Sequence, residues 1–232
     1  MTDAHCHHEE LLKVYPAAEE ERQRLGVKIA KMDGIHPQYL SQSHKDHEVL
    51  INETLCSLCL CEIQAIGEIG FDLFPEYRPY EKAQEEVFAI QLALAIEQGL
   101  PVVLHVRKAM HKVFSYIRQL KQVPALVFHS YSGTVDDSRS LMRHGLNVYF
   151  SFGNAICLNH KQARQCVKEL PLERLLTETD APYQPQRGRA FSSYADLPII
   201  LNEMALLRNG NAKEIEEQID INWHRVFESG HC

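Results

Sequence analysis

Four histidines and several carboxylates of this sequence have the types and spacings that a metal centre requires. The chain begins MTDAHCHHEE, with His5 and His7 two residues apart. On a β-strand over 1–6, alternation sends Asp3, His5 and His7 to one face and Ala4 and Cys6 to the other. Alone, a His-x-His pair fits a solvated polar start as well as it fits metal binding, so partners must come from farther along. GEIGFD offers Glu68, with Asp72 beyond it; LHVR offers His105, with Arg107 two residues on and facing the same way; FHSYSG offers His129; TETD offers Glu178 and Asp180 on one face. Buried without partners, so many ionisable groups would be very costly, and a strong positive charge among them is the simplest remedy.

Those residue types fit two-metal hydrolysis. Two divalent ions about 3.5 to 4 Å apart can clamp the attacking and leaving oxygens of a phosphodiester and lower the pKa of a water toward neutrality. Mixed nitrogen and oxygen ligands suit Zn, Mn, Co or Fe, whereas Mg prefers an oxygen-rich shell, so the ion stays open. Asp180 is expected to orient the nucleophile and take its proton, because a carboxylate touching both ion and water is placed for general base work. Arg107 offers a fork of donors for phosphate, or else pairs with Glu68 or Glu178. His105 and His129 could each be a satisfied core histidine; together with His-x-His and a strand-end aspartate they read as ligands.

These residues need strands to present them. Short apolar runs at 27–32, 63–70, 101–107, 124–130, 146–153 and 174–180 alternate with amphipathic stretches. Residues 79–99 read as a helix, with Pro79 at its start, Val87, Ile90 and Leu94 on one apolar stripe and Gly99 closing it. Residues 211–227 open with Asn211 and Glu214 as a capping box. Strand then helix, repeated, means a parallel sheet. Polar residues gathered at the carboxyl ends of several strands favour a TIM-like (β/α) barrel over a doubly wound nucleotide binder. GEIGFD is not a phosphate loop, since Glu68 sits between its glycines and no helix start follows closely.

The bulk properties agree. A chain of 232 residues suits one domain spanning 1–232. With 45% hydrophobic and 24% charged residues and no apolar run able to span a bilayer, it reads as a globular protein without a membrane partner. The acidic, histidine-rich start does not look like a signal peptide, and seven cysteines, an odd number, do not look like a disulfide framework; both point to the cytoplasm. Cys56, Cys59 and Cys61 in CSLCLC read as apolar core rather than a metal half-site. A net charge of −7 excludes a broad basic face for gripping duplex nucleic acid, so any phosphate must be held locally, by a few arginines and by cations.

Taken in order, DAHCH, GIHPQYL, AIGEIGFD, VVLHVRKA, FHSYSG and RLLTETDAPY resemble the TatD family of metal-dependent deoxyribonucleases, a branch of the amidohydrolase-like barrels. The resemblance implies that His5, His7, Glu68 and Asp180 hold one divalent ion and that Glu68, His105 and His129 hold a second. Glu68 bridges the two and joins Asp180 as a catalytic residue. It also places His36 of GIHP and Glu178 near the substrate. The alternatives are a turn role for His36 before Pro37 and, for Glu178, hydrogen-bond support of the ligands. His8, His224 and His231 read as structural or surface residues.

Two departures from the family matter. Only about twenty residues separate His8 from KIAKMDGIHP, room for one helix, so seven strands are counted and the barrel is expected to be short of one β/α unit near the N-terminus. After TDAPY the chain reads QPQRGRAFSSYADLP, without the Arg-Asn-Glu-Pro run common in relatives. The leading expectation is a nuclease that cuts DNA phosphodiesters from a single-stranded or frayed end. The alternatives are a hydrolase of a small amide, lactone or phosphoester on the same barrel, and a degenerate barrel that binds without turnover.

Overall fold

The computed structural model describes residues 1–41 and 63–228; CSLCLC and His231 lie outside the described residues. Eight short strands are described: β1 Thr2–Asp3, β2 Lys28–Ile29, β3 Met32–Asp33, β4 Ala65–Asp72, β5 Val102–Arg107, β6 Leu126–Phe128, β7 Val148–Phe152 and β8 Leu175–Thr177. The helices among the described residues are α1 His8–Val14, α2 Ala18–Leu25, α3 Glu81–Gln98, α4 Met110–Ser115, α5 Ile117–Leu120, α6 Val135–Arg143, α7 Lys161–Glu169, α8 Leu197–Arg208 and α9 Ala212–Phe227. The class is α/β, and every described strand pairing is parallel. No described helix is long and apolar enough to cross a membrane. The chain gathers into two compact units, one of Met1–Ala30, His129–Arg139 and Tyr149–Arg225, the other of Lys31–Phe128, Ser140–Val148 and Val226–Cys232.

In the first unit β1 pairs with β2, and β7 with β8. The Ala4 amide donates to the Thr177 carbonyl at 2.9 Å, and Thr177 Oγ1 donates to the Thr2 carbonyl at 2.9 Å, which lays β1 along β8. The strand expected over 1–6 ends at Asp3. Beyond it the His7 amide donates to the Ala181 carbonyl at 2.8 Å, so the chain tracks segment 177–181 and then turns into α1, with His7 as its N-terminal flank. Asn211 Oδ1 accepts from the Lys213 amide at 2.8 Å and caps α9. Farther along that helix, buried Asn222 donates to the carbonyls of Leu172 and Leu175, both at 2.8 Å, and Trp223 Nε1 donates to the Asp3 carbonyl at 3.3 Å. The C-terminal helix thereby fixes the start of β8 and the end of β1. Leu11, Ala18, Val27, Ala181, Tyr194 and Leu197 pack into one buried cluster beside them.

In the second unit β3, β4, β5 and β6 lie side by side in that order. The run 27–32, which reads as one strand, is two: β2 pairs with β1 and β3 with β4, and only Ala30 and Lys31 separate them. Among the described residues the count is therefore eight short strands rather than seven, and no helix fits between β2 and β3. Helix α3 buries Gln84, Val87, Phe88, Gln91, Leu92 and Ala95, while Ile90, expected on the inner stripe, is exposed. The buried glutamines explain the difference. Gln84 accepts from the Asp72 amide at 2.9 Å and donates to the Asp72 carbonyl at 3.0 Å, and Gln91 accepts from the Ile35 amide at 2.6 Å. Each satisfies a strand-end backbone that apolar side chains would leave unpaired.

The glycines of GEIGFD let strands approach closely. A Cβ on Gly67 would lie 2.6 Å from Val103 Cβ, and one on Gly70, whose φ is +139°, would lie 2.2 Å from the His105 carbonyl oxygen. Their role is to bring β4 against β5, which sets Glu68 and His105 side by side.

Candidate metal centre

In the first unit His5, His7 and Asp180 converge. His5 Nε2 and His7 Nε2 are 3.2 Å apart, and they lie 3.6 and 3.4 Å from Asp180 Oδ1. A tetrahedral ion with bonds of about 2.0–2.1 Å separates its ligands by about 3.3 Å, so the three atoms have the spacing of a coordination shell. The donor set of two imidazoles and one carboxylate fits a divalent ion. His5 and Asp180 are buried and His7 is partly exposed.

Behind these ligands stands a hydrogen-bonded frame. Asp180 has a φ of 53°, Ser130 of 42° and Gln184 of 51°, three left-handed backbones on non-glycine residues, a conformation that persists only where its surroundings enforce it. The Gln184 amide nitrogen lies 2.6 Å from both Asp180 Oδ2 and Ser130 Oγ. Ser130 passes the chain on, since its amide and its hydroxyl both donate to Glu178 Oε1 at 2.8 Å. The same Glu178 oxygen lies 3.1 Å from His129 Nδ1, so a carboxylate stands behind this imidazole. His129 in turn packs against His5, with ring centroids 4.3 Å apart.

Asp3, of the opening DAHCH, is fully buried. Its Oδ2 accepts from Thr179 Oγ1 at 2.7 Å, and its Oδ1 from the amides of Thr179 at 3.1 Å and His5 at 3.2 Å. It ties β1 to the segment carrying Glu178 and Asp180. Burial pushes its carboxyl up to about 8, against the pull of its Thr179 hydrogen bonds.

The second unit brings together His36, Glu68 and His105. His105 Nδ1 lies 3.0 Å and His36 Nε2 3.6 Å from Glu68 Oε1, and the two rings are 4.4 Å apart. His36, placed near the substrate by the sequence reading, thus stands beside Glu68 and His105, a set whose atoms could hold an ion. The other nitrogen of His105 lies 3.2 Å from Asp72 Oδ2, so Asp72 backs this imidazole as Glu178 backs His129. Burial alone would raise the Asp72 carboxyl, but His105, Gln38 Nε2 at 2.7 Å and the Phe74 amide at 2.9 Å together hold it at about 2. Arg107 is half exposed, with its guanidinium carbon 4.0 Å above the Phe74 ring and Nη1 3.8 Å from Asp72. Its ionic partner in the structure is Asp72, rather than the Glu68 or Glu178 weighed from the sequence.

Of the residues expected near the substrate, then, Arg107 presents an exposed head, His36 joins Glu68, and Glu178 is fully buried in support of Ser130 and His129. Sequence reading missed Gln184, Ser130 and Gln38. All three act through turn geometry, and only the closeness of Gln184 to TETD hints at one of them.

Known proteins resemble this chain over most of its length. Residues 10–228 match the family model described as TatD related DNase. The chain is 32% identical over 203 residues to the 3′-5′ ssDNA/RNA exonuclease TatD of Enterobacter lignolyticus, covering 84% of this chain and 76% of that protein. It is 33% identical over 172 residues to an uncharacterized metal-dependent hydrolase, YabD, of Bacillus subtilis, covering 72% of this chain and 66% of that one. Among solved structures, the TatD homolog YJJV of Escherichia coli superimposes with a TM-score of 0.78 at 24% identity, over 98% of this chain and 97% of that one. A TatD family hydrolase of Entamoeba histolytica gives 0.69 at 20% identity, over 98% and 83%. The fold is thus the TIM-like α/β fold of these proteins.

Proposed function

The chain belongs to the TatD-related DNase family, and from that premise we propose that it removes nucleotides from a single-stranded or frayed DNA end using two divalent cations. It is a metal-dependent nuclease, a hydrolase acting on ester bonds with nucleic acid as substrate. The observation that carries the proposal is the convergence of His5 Nε2, His7 Nε2 and Asp180 Oδ1 within 3.2–3.6 Å of one another.

We retain His5, His7, Glu68, His105, His129 and Asp180 as the ligand set, with His36 added beside Glu68. When bound, the cations would offset phosphate charge and acidify a water. Asp180 and Glu68 are the carboxylates that act on the reacting atoms, Asp180 orienting the water and accepting its proton. Glu178 stands behind the imidazole of His129 and Asp72 behind that of His105, and each orients its ring. Arg107, braced by Phe74, would hold a phosphate oxygen. All 232 residues serve as one catalytic domain, and the cytoplasm suits the free thiols of Cys6, Cys157 and Cys166.

The single-stranded end is supported by the names of the relatives and by an acidic chain with few cations to grip a long duplex. The deciding experiment offers the metal-loaded protein single-stranded DNA, blunt duplex, RNA and a panel of small esters, with and without chelator. Chelator-sensitive loss of nucleotides from the single strand is expected. Turnover of esters alone would replace the reading with a small-molecule hydrolase, and inertness toward all of them with a binding protein.

A further inference from the structure

We infer that Tyr183 is a base-stacking platform for the terminal nucleotide of a single strand, a binding residue beside the His5–His7–Asp180 group; the inference rests on the nuclease reading and deepens it. Tyr183 is 49% exposed, yet it is held at every point where it could move. Its amide donates to the Asp180 carbonyl at 2.7 Å, and its own carbonyl accepts from Ser192 Oγ. Its phenol donates to Glu10, the third residue of α1. Its ring stands nearly perpendicular to that of His7, 88° between planes and 5.0 Å between centroids.

Ordering an aromatic side chain costs conformational entropy, which burial normally offsets. Here about half of the residue's surface stays in water, so the restraint leaves a rigid aromatic surface within reach of a ligand. A flat, uncharged group suits that face. The Glu10 carboxylate at its rim repels phosphate and directs the base, rather than the backbone, onto the ring. Any base can stack there, whatever its sequence, because each has a π-face. A paired terminal base is already stacked and must first separate, so the platform favours single-stranded over duplex ends.

The test uses the full chain in its metal-loaded form and a single strand of about ten nucleotides with phosphorothioate linkages to block cleavage. One version carries 2-aminopurine at the 3′ end and the other an abasic 3′ end. With the wild type, stacking should quench the 2-aminopurine, and the abasic strand should bind about 5- to 150-fold more weakly, the range that base–aromatic stacking spans. Tyr183→Ala should bind both strands equally and leave the fluorophore bright, while Tyr183→Phe, which keeps the ring, should retain most of the discrimination.

Equal binding of the two strands by the wild type overturns the platform without reference to any variant, as does discrimination that survives Tyr183→Ala. Cleavage of an unmodified strand keeps the two readings apart. Cleavage without base discrimination removes the platform alone, whereas a chain that neither cleaves nor binds any strand removes the nuclease reading as well.

Discussion

Gln184 Nε2 lies 2.6 Å from Asp180 Oδ2, the oxygen opposite the one that faces His5 and His7. The contact occupies one side of the carboxylate and fixes the direction of the other. Gln184→Leu, which keeps the bulk and removes both donors, should weaken ion binding about 10- to 100-fold, the usual effect of losing a partner behind a ligand. Competition with a coloured chelator measures it. The melting temperature of the metal-free protein should change little, and unchanged ion affinity would contradict the assignment.

Glu178 separates charge from packing. Glu178→Gln keeps an acceptor for Ser130 but removes the negative charge beside His129, so it should lower ion affinity about tenfold with the fold intact. Glu178→Ala also strips the partly buried Ser130 amide of its acceptor, which should cost about 1 kcal/mol, the low end for an unpaired amide. Urea unfolding should separate the two variants, and chelator competition should group them.

Gly70 is required by contact. Its φ is +139° and an added Cβ would meet the His105 carbonyl oxygen at 2.2 Å. Gly70→Ala should therefore destabilise the protein by more than about 1 kcal/mol and disturb the His105 position together with its ion. A variant as stable as wild type in urea would show that β4 and β5 separate without penalty.

The candidate site was legible mainly in residue types: His-x-His, Glu68, His105, His129 and Asp180 carry ligand chemistry, although Glu68 and His105 lie within β4 and β5, and His5 and His7 lie beyond β1, where alternation no longer applies. The frame behind them was not legible. Gln184 reaches Asp180 only through a left-handed turn, and Glu178 had to be seen buried before it could be told from a substrate contact. Helix α3 shows the same limit, since hydropathy placed Ile90 inside while hydrogen bonding placed Gln84 and Gln91 there. Nor does any feature of residues 27–32 reveal that the run divides at Ala30 and Lys31.

Acid dependence gives a check away from the metal groups. Glu19 is held at about 2, against an ordinary 4.5, chiefly by its bonds to Arg22, and then by Gln23. A depressed folded-state value means a contribution fully present above about pH 4.5 and lost as pH falls toward about 2. Because the pair is in contact with solvent it should be worth no more than about 1 kcal/mol. The stability gap between wild type and Glu19→Gln, followed by urea unfolding from pH 6 down to pH 3, should narrow; a widening gap would refute the pairing.

The central claim is that these imidazoles and carboxylates hold cations, and counting the ions tests it most directly. Elemental analysis of the protein, compared with His7→Ala and His105→Ala, should find two divalent ions per chain in the wild type and one fewer in each variant, with DNA cleavage falling in step. A wild-type protein that carries no ion after incubation with Zn, Mn, Co, Fe or Mg, and still cleaves DNA in the presence of chelator, would contradict the account.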